Sequence, residues 1–492
     1  MTEYICAIDQ GTTGTTVVIV DDTLKVRARV NQEFPQIFPK PSWVEHDPEE
    51  IWNSVKECIA RAQQEAGIAP EEIKAVGITN QRETTIVWDR ASGEPIHNGI
   101  VWQDRRTRGR IQQLVDDGHE KLIRERTGLI LDPYFSGSKV EWILDQTRGA
   151  RSRAAKGELC FGTIDSFLVW RLTGGDVHVS DVSNASRTLL MDLKTGEWDE
   201  ELLDLFNVPA EMLPKIVGNS EVYGEVRNIE GLADGTPICG MAGDQQAALF
   251  GQVCFAPGEA KCTYGTGAFL LMNTGNKPVF SRHRLLSTAA WKIDGEMTYA
   301  LEGSAFIAGA MVQWLRDGLG VIKSAEEIEE LARSVQSSDG VVAVPSLAGL
   351  GAPHWNPTAR GVLWGLTRGT TRAHIARAVL EGIALQNVDI LKAMEQDSGK
   401  ELKVLRVDGG ASMNNLLMQM QADFLDRRIV RPEMIETTAL GSGLMAGLAI
   451  GIFKNLEDIR STWREDMSFQ STMTQQKRGE HLALWAEGVS RV

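Results

Sequence analysis

Residues 4–20, YICAIDQGTTGTTVVIV, place two apolar runs on either side of a turn that is rich in glycine and threonine. This pattern predicts a β-hairpin. Gly14 tolerates positive φ, so the backbone N–H groups of the turn can point at one anion, and Thr12 and Thr13 add hydroxyl donors. Asp9, at the end of the first strand, can face a metal ion bound to the same phosphates. A plain hairpin turn is the alternative, because Gly and Thr are common in such turns as well.

A second stretch repeats the device in the other half of the chain. Residues 260–272, AKCTYGTGAFLLM, again join a Gly/Thr turn, which contains Thr266, to an apolar strand. Two such hairpins suggest a duplicated architecture with one phosphate-facing turn in each half. Because Pro257-Gly258 breaks the chain near this point, we predict two domains, 1–252 and 253–492.

The remaining pattern alternates strands with helices. Apolar spacing predicts a helix over residues 51–66, and short apolar runs predict strands over 75–79, 85–88 and 404–407. This alternation is typical of an α/β fold.

Composition restricts the class of protein. The chain has 492 residues, of which 42% are hydrophobic and 24% charged, as in ordinary soluble domains. Its formal net charge of -15 repels phosphate backbones, so we expect no nucleic acid as partner. The most apolar stretch, residues 444–453, is shorter than the roughly 20 residues that span a bilayer, so we expect no membrane insertion. The six Cys form no C-x-x-C pair, which is typical of reduced thiols in a cytoplasmic protein.

Three polar positions have the chemistry of a polyol-binding site. Asp244 follows small residues at the predicted start of a helix, where it can either cap the helix or take a proton from a hydroxyl. Arg82-Glu83 follows a strand; such a pair is usually solvated, but facing a cleft it both donates to and accepts from hydroxyl groups. Trp102 can line the carbon chain of a polyol or lie in the core.

Two further stretches could meet a nucleoside. Residues 304–314 are predicted to form a helix that Ser304 caps, with Gly309 and Gln313 on one face. An interior Gly costs about 1 kcal/mol relative to Ala, so either a ligand or a neighbouring helix must approach Gly309 closely. The turn that contains Gly410 follows a predicted strand and leaves bare backbone exposed, and Asn414 lies four residues beyond it.

Two longer motifs decide between these alternatives. Residues 134–145, YFSGSKVEWILD, and the segment 361–381, which begins GVLWGL, resemble the two signatures of the FGGY family of sugar and polyol kinases, within the actin-like ATPase superfamily. No P-loop motif is present. The resemblance implies an α/β fold of two actin-like (ribonuclease H-like) domains flanking a catalytic cleft. It is greatest to the members that phosphorylate glycerol, through 77–85, 132–137 and 243–251.

The resemblance also implies a role for each matching residue. Glycerol would contact Arg82, Glu83, Trp102, Tyr134, Asp244, Gln245 and Phe269. ATP would contact Thr12, Thr13, Gly14, Thr266, Gly309, Gln313, Gly410 and Asn414. Mg²⁺ would lie near Asp9 and Asp244, and Asp244 would be the catalytic base. The assembly would be a homodimer or a homotetramer.

The sequence departs from the family pattern in three places. Many members that act on glycerol have Ser at the position of Gly14 and Arg at the position of Thr16, which leaves nucleotide affinity open. Residues 228–237 contain no Arg, so we expect no inhibition by a sugar bisphosphate. Two alternatives stay open: a kinase of the same family that acts on a pentulose, a gluconate-type acid or a tetritol, and an actin-like chaperone or filament ATPase.

Overall fold

The structure, a computed structural model, describes residues 3–356, 358–434 and 436–492. Its strands are β1 Tyr4–Gln10, β2 Gly14–Asp21, β3 Val26–Glu33, β4 Glu45–His46, β5 Ile73–Asn80, β6 Ile86–Asp89, β7 Gly99–Ile100, β8 Leu159–Gly162, β9 Val179–Asp181, β10 Met191–Asp192, β11 Glu197–Trp198, β12 Lys215–Val217, β13 Ser220–Glu225, β14 Pro237–Gly243, β15 Glu259–Tyr264, β16 Ala268–Gly275, β17 Leu286–Ile293, β18 Glu296–Ala305, β19 Val342–Val344, β20 Val362–Trp364, β21 Val404–Asp408, β22 Ile429–Pro432 and β23 Glu465–Phe469.

Helices cover the sheets and fill the connections between strands. They are α1 Pro48–Ala66, α2 Arg108–Asp116, α3 Glu120–Thr127, α4 Gly137–Gln146, α5 Ala150–Ala154, α6 Ile164–Leu172, α7 Val182–Ala185, α8 Glu200–Leu205, α9 Asp244–Gly251, α10 Gly309–Asp317, α11 Glu327–Arg333, α12 Arg372–Ser398, α13 Asn415–Leu425, α14 Thr437–Ala449, α15 Leu456–Thr462 and α16 Gln475–Val489. Among the described residues, no helix combines the length and the apolar character needed to span a bilayer.

Two large sheets share one topology. The first has the order β13-β14-β5-β1-β2-β3, and the second has the order β17-β18-β16-β15-β21-β22-β23. In each, three antiparallel strands (β1–β3, or β15, β16 and β18) are followed by parallel strands, β5 and β14 in the first sheet and β21 and β22 in the second. Both predicted hairpins, the predicted strands and the predicted helix over 51–66 are therefore confirmed, and so is the α/β class.

One helix predicted from the sequence is wrong in its position. Ser304 does not cap a helix but lies in β18, where it pairs with Phe269 of β16. The helix α10 begins only at Gly309, after Ala308, which makes no side-chain cap. Gly309 is thus the first helical residue, and the cost of an interior Gly does not apply to it. The hydrogen bonds of β18 to two neighbouring strands override the local capping signal.

Helix α14, from the second half of the chain, packs on the first sheet and on α9. A Cβ atom on Gly441 would lie 1.9 Å from the carbonyl oxygen of Ala247, and one on Gly240 would lie 2.3 Å from that of Ser442. The helix approaches its neighbours so closely that only glycine fits at these contacts.

We expect Gly441→Ala to lower the free energy of unfolding by about 3 kcal/mol, because the methyl group meets rigid backbone. Gly479→Ala, in the exposed helix α16, is the matched control: nothing lies within 4 Å of its Cβ position, and the change should stabilise by about 0.5–1 kcal/mol. Thermal unfolding of both variants measures the difference. Equal melting temperatures would contradict the close contact of α14.

A buried histidine makes stability depend on pH. Burial lowers the pKa of His178 from 6.5 to about 4, and its Nε2 donates to the carbonyl oxygen of Phe161 (2.8 Å). Between these two pKa values the unfolded chain binds more protons than the folded one, so stability falls as the pH is lowered.

His178→Gln keeps a neutral donor but cannot titrate. We therefore expect its free energy of unfolding to fall by about 2 kcal/mol less than that of the wild type when the pH is lowered from 7 to 5. Urea unfolding followed by tryptophan fluorescence at several pH values measures this. Parallel pH profiles for the two proteins would show that His178 does not titrate as described.

Candidate active site

The ends of three parallel strands in the first sheet bring the candidate residues together. In the register of β1, β5 and β14, Asp9 pairs with Thr79, and Ala242 pairs with the same Thr79. The strands therefore end at one edge, and the segments that follow them leave side by side. The structure places Asp9, Arg82 and Asp244 at this edge.

The Arg82-Glu83 pair is buried, so its interpretation as a solvated surface pair is wrong. Only 2% of the Arg82 side chain and 1% of the Glu83 side chain are exposed. Arg82 Nε lies 3.2 Å from Oδ1 of Asp244 and 3.9 Å from Oε1 of Glu83. Asp244 is the first residue of α9 and remains 30% exposed, which makes it the accessible carboxylate of the group.

The backbone at Glu83 has an uncommon conformation. Its φ of 61° is rare for a residue that is not glycine, and strained residues of this kind persist where the surroundings fix them. Here the hydroxyl groups of Thr85 (3.1 Å) and Ser136 (3.0 Å) both donate to the Glu83 carbonyl oxygen. This backbone conformation directs the Glu83 side chain toward the junction between the sheets.

Two further charged residues, Arg187 and Glu302, complete the group, and sequence reasoning missed them. Arg187 Nε donates to Oε1 of Glu83 (2.6 Å), and Glu302 of β18 accepts from both Arg82 and Arg187. Glu302 is a charged residue within the apolar run of β18, and this was the signal in the sequence that could have identified it. The Nη1 atom of Arg187 is buried without a partner among the described residues, a donor that a hydroxyl or a water molecule can satisfy.

Aromatic side chains border the same space. The rings of Trp102 and Tyr134 meet edge to face, with centroids 5.6 Å apart, and Arg187 lies 5.6 Å from the centroid of the Tyr134 ring. Trp102 Nε1 donates to the hydroxyl of Thr12 (2.9 Å), so this ring joins the first turn to the polar group. Phe269 pairs with Ser304, two residues from Glu302, and hence shares the face of the second sheet that Glu302 presents.

Gln245 has a partner that the sequence did not indicate. The buried Lys261 donates from Nζ to Gln245 Oε1 and to the hydroxyl of Thr263 (2.9 Å). Because an ammonium group only donates, the Gln245 amide must turn its oxygen toward Lys261 and its NH₂ group away.

The first turn is held by two side-chain amides, those of the buried Gln81 and the partly buried Gln36. The Gln36 amide donates to the carbonyl oxygen of Thr12, and the Gln81 amide donates to that of Gly11, both at 3.1 Å. The His46 ring contacts both amides through its two nitrogens. A Cβ atom on Gly14 would lie 2.7 Å from the carbonyl oxygen of Gln32, so β3 approaches too closely for serine. The departure at this position thus has a steric cause in this chain.

The second turn rests on the start of α10. Gly309 N–H donates to the carbonyl oxygen of Gly265 (3.0 Å), and the N–H groups of Ala308 and Ala310 donate to that of Thr266. A Cβ atom on Gly309 would lie 2.6 Å from the same Gly265 oxygen, so the close approach of the turn is enough to require glycine here. Thr266 and Gln313 are both exposed.

The turn after β21 leaves the second sheet at the same edge as the turn after β15, because β15 and β21 are parallel. Gly409 contacts Tyr264, with a φ of 81°, whereas nothing lies within 4 Å of a Cβ position on Gly410. The bare backbone at Gly410 is open to a ligand. The Asn414 side chain accepts from Leu417 N–H (2.9 Å) and so caps α13.

The acidic groups near the first turn fit a divalent cation. Burial, and to a smaller extent the charges of Asp244 and Glu436, raises the pKa of Asp9 to about 8, and a bound cation would favour its ionised form. Within the described residues no group of three or more His, Cys, Asp or Glu side chains could hold a metal ion alone. Mg²⁺ commonly uses one or two carboxylates and takes its other ligands from phosphates and water, so this donor set suits it.

Comparison with known proteins agrees with this geometry. The models of the N-terminal and C-terminal domains of the FGGY family of carbohydrate kinases match residues 4–251 and 260–450. Glycerol kinases of Myxococcus xanthus and Deinococcus radiodurans are 58% and 54% identical to the chain, over 99% of its length and 99% and 97% of theirs.

Solved structures give the same result. The crystal structure of Plasmodium falciparum glycerol kinase with ADP has a TM-score of 0.94 at 37% identity, covering 100% of this chain and 98% of that one. Gluconate kinase of Lactobacillus acidophilus, at 24% identity with a TM-score of 0.89, covers 99% of this chain and 97% of that one and shares the fold. The chain belongs to the FGGY family of carbohydrate kinases.

Proposed function

We propose that this kinase transfers the γ-phosphoryl group of ATP to glycerol, giving sn-glycerol 3-phosphate and ADP, as the first step of glycerol breakdown. The observation that carries the proposal is the partly exposed Asp244 carboxylate, 3.2 Å from the buried Arg82 and beside the first phosphate turn. The names and full-length coverage of the most similar relatives support glycerol as the acceptor.

The acceptor pocket suits a short neutral polyol. Arg82 and the free NH₂ group of Gln245 offer donors to hydroxyl oxygens, and Glu83 offers an acceptor for hydroxyl protons. Tyr134 contributes a phenol that can do both. Trp102 and Phe269 would pack against the carbon chain from opposite sides.

The nucleotide would bind mainly to the second half of the chain. Thr12, Thr13 and Gly14 on one side and Thr266 on the other would contact its phosphates. The nucleoside would lie against Gly309, Gln313, Gly410 and Asn414. Asp9 and Asp244 would hold Mg²⁺ directly or through water, and when bound this ion offsets the negative charge of the phosphates.

Phosphoryl transfer then needs positioning more than covalent chemistry. A terminal hydroxyl oxygen of glycerol attacks the γ-phosphorus in line. Asp244 accepts the hydroxyl proton as the new P–O bond forms. The bond between the γ-phosphorus and the β–γ bridging oxygen breaks, and its electron pair leaves with ADP. Closing the cleft excludes water, which would otherwise accept the phosphoryl group.

We also propose a cytoplasmic location and a homodimer or homotetramer. All six Cys are buried and form no disulfide, as expected in a reducing compartment. The absence of inhibition by a sugar bisphosphate stays a prediction. Measuring activity with and without a sugar bisphosphate tests the predicted lack of inhibition, and measuring the mass by light scattering tests the assembly.

A substrate panel tests the activity itself. ADP release with Mg-ATP should be stimulated strongly by glycerol and weakly or not at all by erythritol, xylulose, ribulose or gluconate. Stimulation by another compound would keep the phosphoryl transfer but overturn the acceptor. Turnover that is independent of every acceptor would favour the actin-like chaperone or filament class.

We expect Asp244→Asn to lower kcat by about 10²–10⁴-fold, because the amide cannot take the hydroxyl proton. The fold should be retained, since Asn at the helix start still accepts from the Gln245 N–H as Asp244 does (2.7 Å). Steady-state kinetics and circular dichroism of the variant measure the two effects. A near-normal kcat would mean that another group is the base.

A further inference from the structure

Glu302 reaches across the junction between the two sheets. It lies on β18 of the second sheet, and its carboxylate accepts from Arg82 through both oxygens, at 2.5 Å from Nη1 and 3.0 Å from Nη2. Its Oε1 also accepts from Arg187 Nη2 at 3.1 Å. The Glu302 side chain is 2% exposed, so this is a desolvated, bidentate ion pair.

This clamp fixes the direction in which Arg82 presents its remaining nitrogen. The guanidinium group is planar, so holding both Nη atoms sets the position of Nε. Gln246 Oε1 strengthens the hold by accepting from Nη1 at 3.1 Å. The Nε atom is left facing Asp244 at 3.2 Å. The distance between the proposed base and its nearest cation is therefore set by a residue of the other sheet.

Among the buried members of the group, the charges are balanced only while Glu302 is ionised. Arg82 and Arg187 carry two positive charges, and Glu83 and Glu302 carry two negative ones. Arg187 and Arg82 lower the pKa of Glu302 to about 2, although burial opposes them. Without the Glu302 charge, Arg82, whose Nε already lies 3.2 Å from Asp244, would pair more tightly with that carboxylate and would hold it away from a substrate hydroxyl.

We propose that Glu302 is a positioning residue for phosphoryl transfer, which orients Arg82 so that its Nε serves Asp244 and the acceptor hydroxyl. The inference rests on the proposed function. It also ties the two substrates together, because β18 leads directly through residues 306–308 to Gly309 and the second phosphate turn. Glu302 is the link between the acceptor pocket and the nucleotide side.

A purely structural role is the competing explanation, and the chain offers a matched control. Glu259, on β15 of the same sheet, is also buried and also lies between two arginines: Arg406 at 3.4 Å and Arg460 at 3.0 Å. It contacts none of the candidate site residues in the hydrogen bonds and ion pairs of the described residues. Glu259→Gln therefore reports the cost of weakening a buried arginine clamp without touching the site.

The experiment compares Glu302→Gln, Glu302→Asp and Glu259→Gln with the wild type. We expect Glu302→Gln to lower kcat/KM for glycerol by about 100-fold, with a higher glycerol KM and a lower kcat, because a charged bidentate bond is lost. The KM for ATP should change less than about threefold. Glu302→Asp, which keeps the charge, should recover part of kcat. Glu259→Gln should lower the melting temperature and leave the kinetics unchanged.

The proposal is overturned if Glu302→Gln and Glu259→Gln lose stability to a similar extent and both keep the glycerol kinetics of the wild type. If Glu302→Gln does not fold, wild-type glycerol kinetics in Glu302→Asp overturn it equally, since the shortened side chain cannot hold the same geometry. A wild-type protein that glycerol does not stimulate would instead refute the proposed function. The two failures are thus distinguishable.

Discussion

Two arginines and two carboxylates share one desolvated site between the sheets, and the arrangement of the rest depends on their staying together. Burying such charges is costly unless each has a partner, and removing one partner from a buried pair typically costs about 3–5 kcal/mol. Arg82 and Glu302 come from different sheets, so neither sheet can move at this point without exposing an unpaired charge. The cluster therefore fixes the two sheets to each other at this point.

The duplicated topology determines what surrounds this cluster. In each sheet the parallel strands end at one edge, so the turn after β1 leaves the first sheet beside the end of β5, and the turn after β15 leaves the second sheet beside the end of β21. Close backbone contacts then fix the helices: α14 meets Ala247 of α9 at Gly441 and Gly240 of β14 at Ser442, and α10 lies on the second turn through Gly309. These contacts tolerate no side chain, so packing against the backbone is enough to explain the glycines at these positions.

The features that could be predicted from the sequence depend on residues close together in the chain, whereas the features that were missed depend on partners far apart in it. The hairpins, α1 and the strand before Asp408 were predictable because their apolar periods are local. The helix predicted from Ser304 was wrong because strand pairing with β16 and β17 is not visible locally. The burial of Arg82 was equally invisible, since its partner Glu302 is 220 positions away in the chain. The roles of individual site residues came only from family resemblance.

The same charge balance bears on the class of acceptor. A site for a gluconate-type acid needs a cation that no protein carboxylate has already neutralised. Here Glu83 and Glu302 neutralise Arg82 and Arg187. The ammonium group of the nearby Lys261 donates to neutral oxygens, and the carboxylates of Asp244 and Asp408 are close enough to offset its charge. The exposed group at this edge is the Asp244 carboxylate, which repels an anion. A hydroxyl, by contrast, can use the donors and the acceptors of the cluster without disturbing its charges, so the electrostatics favour a neutral polyol.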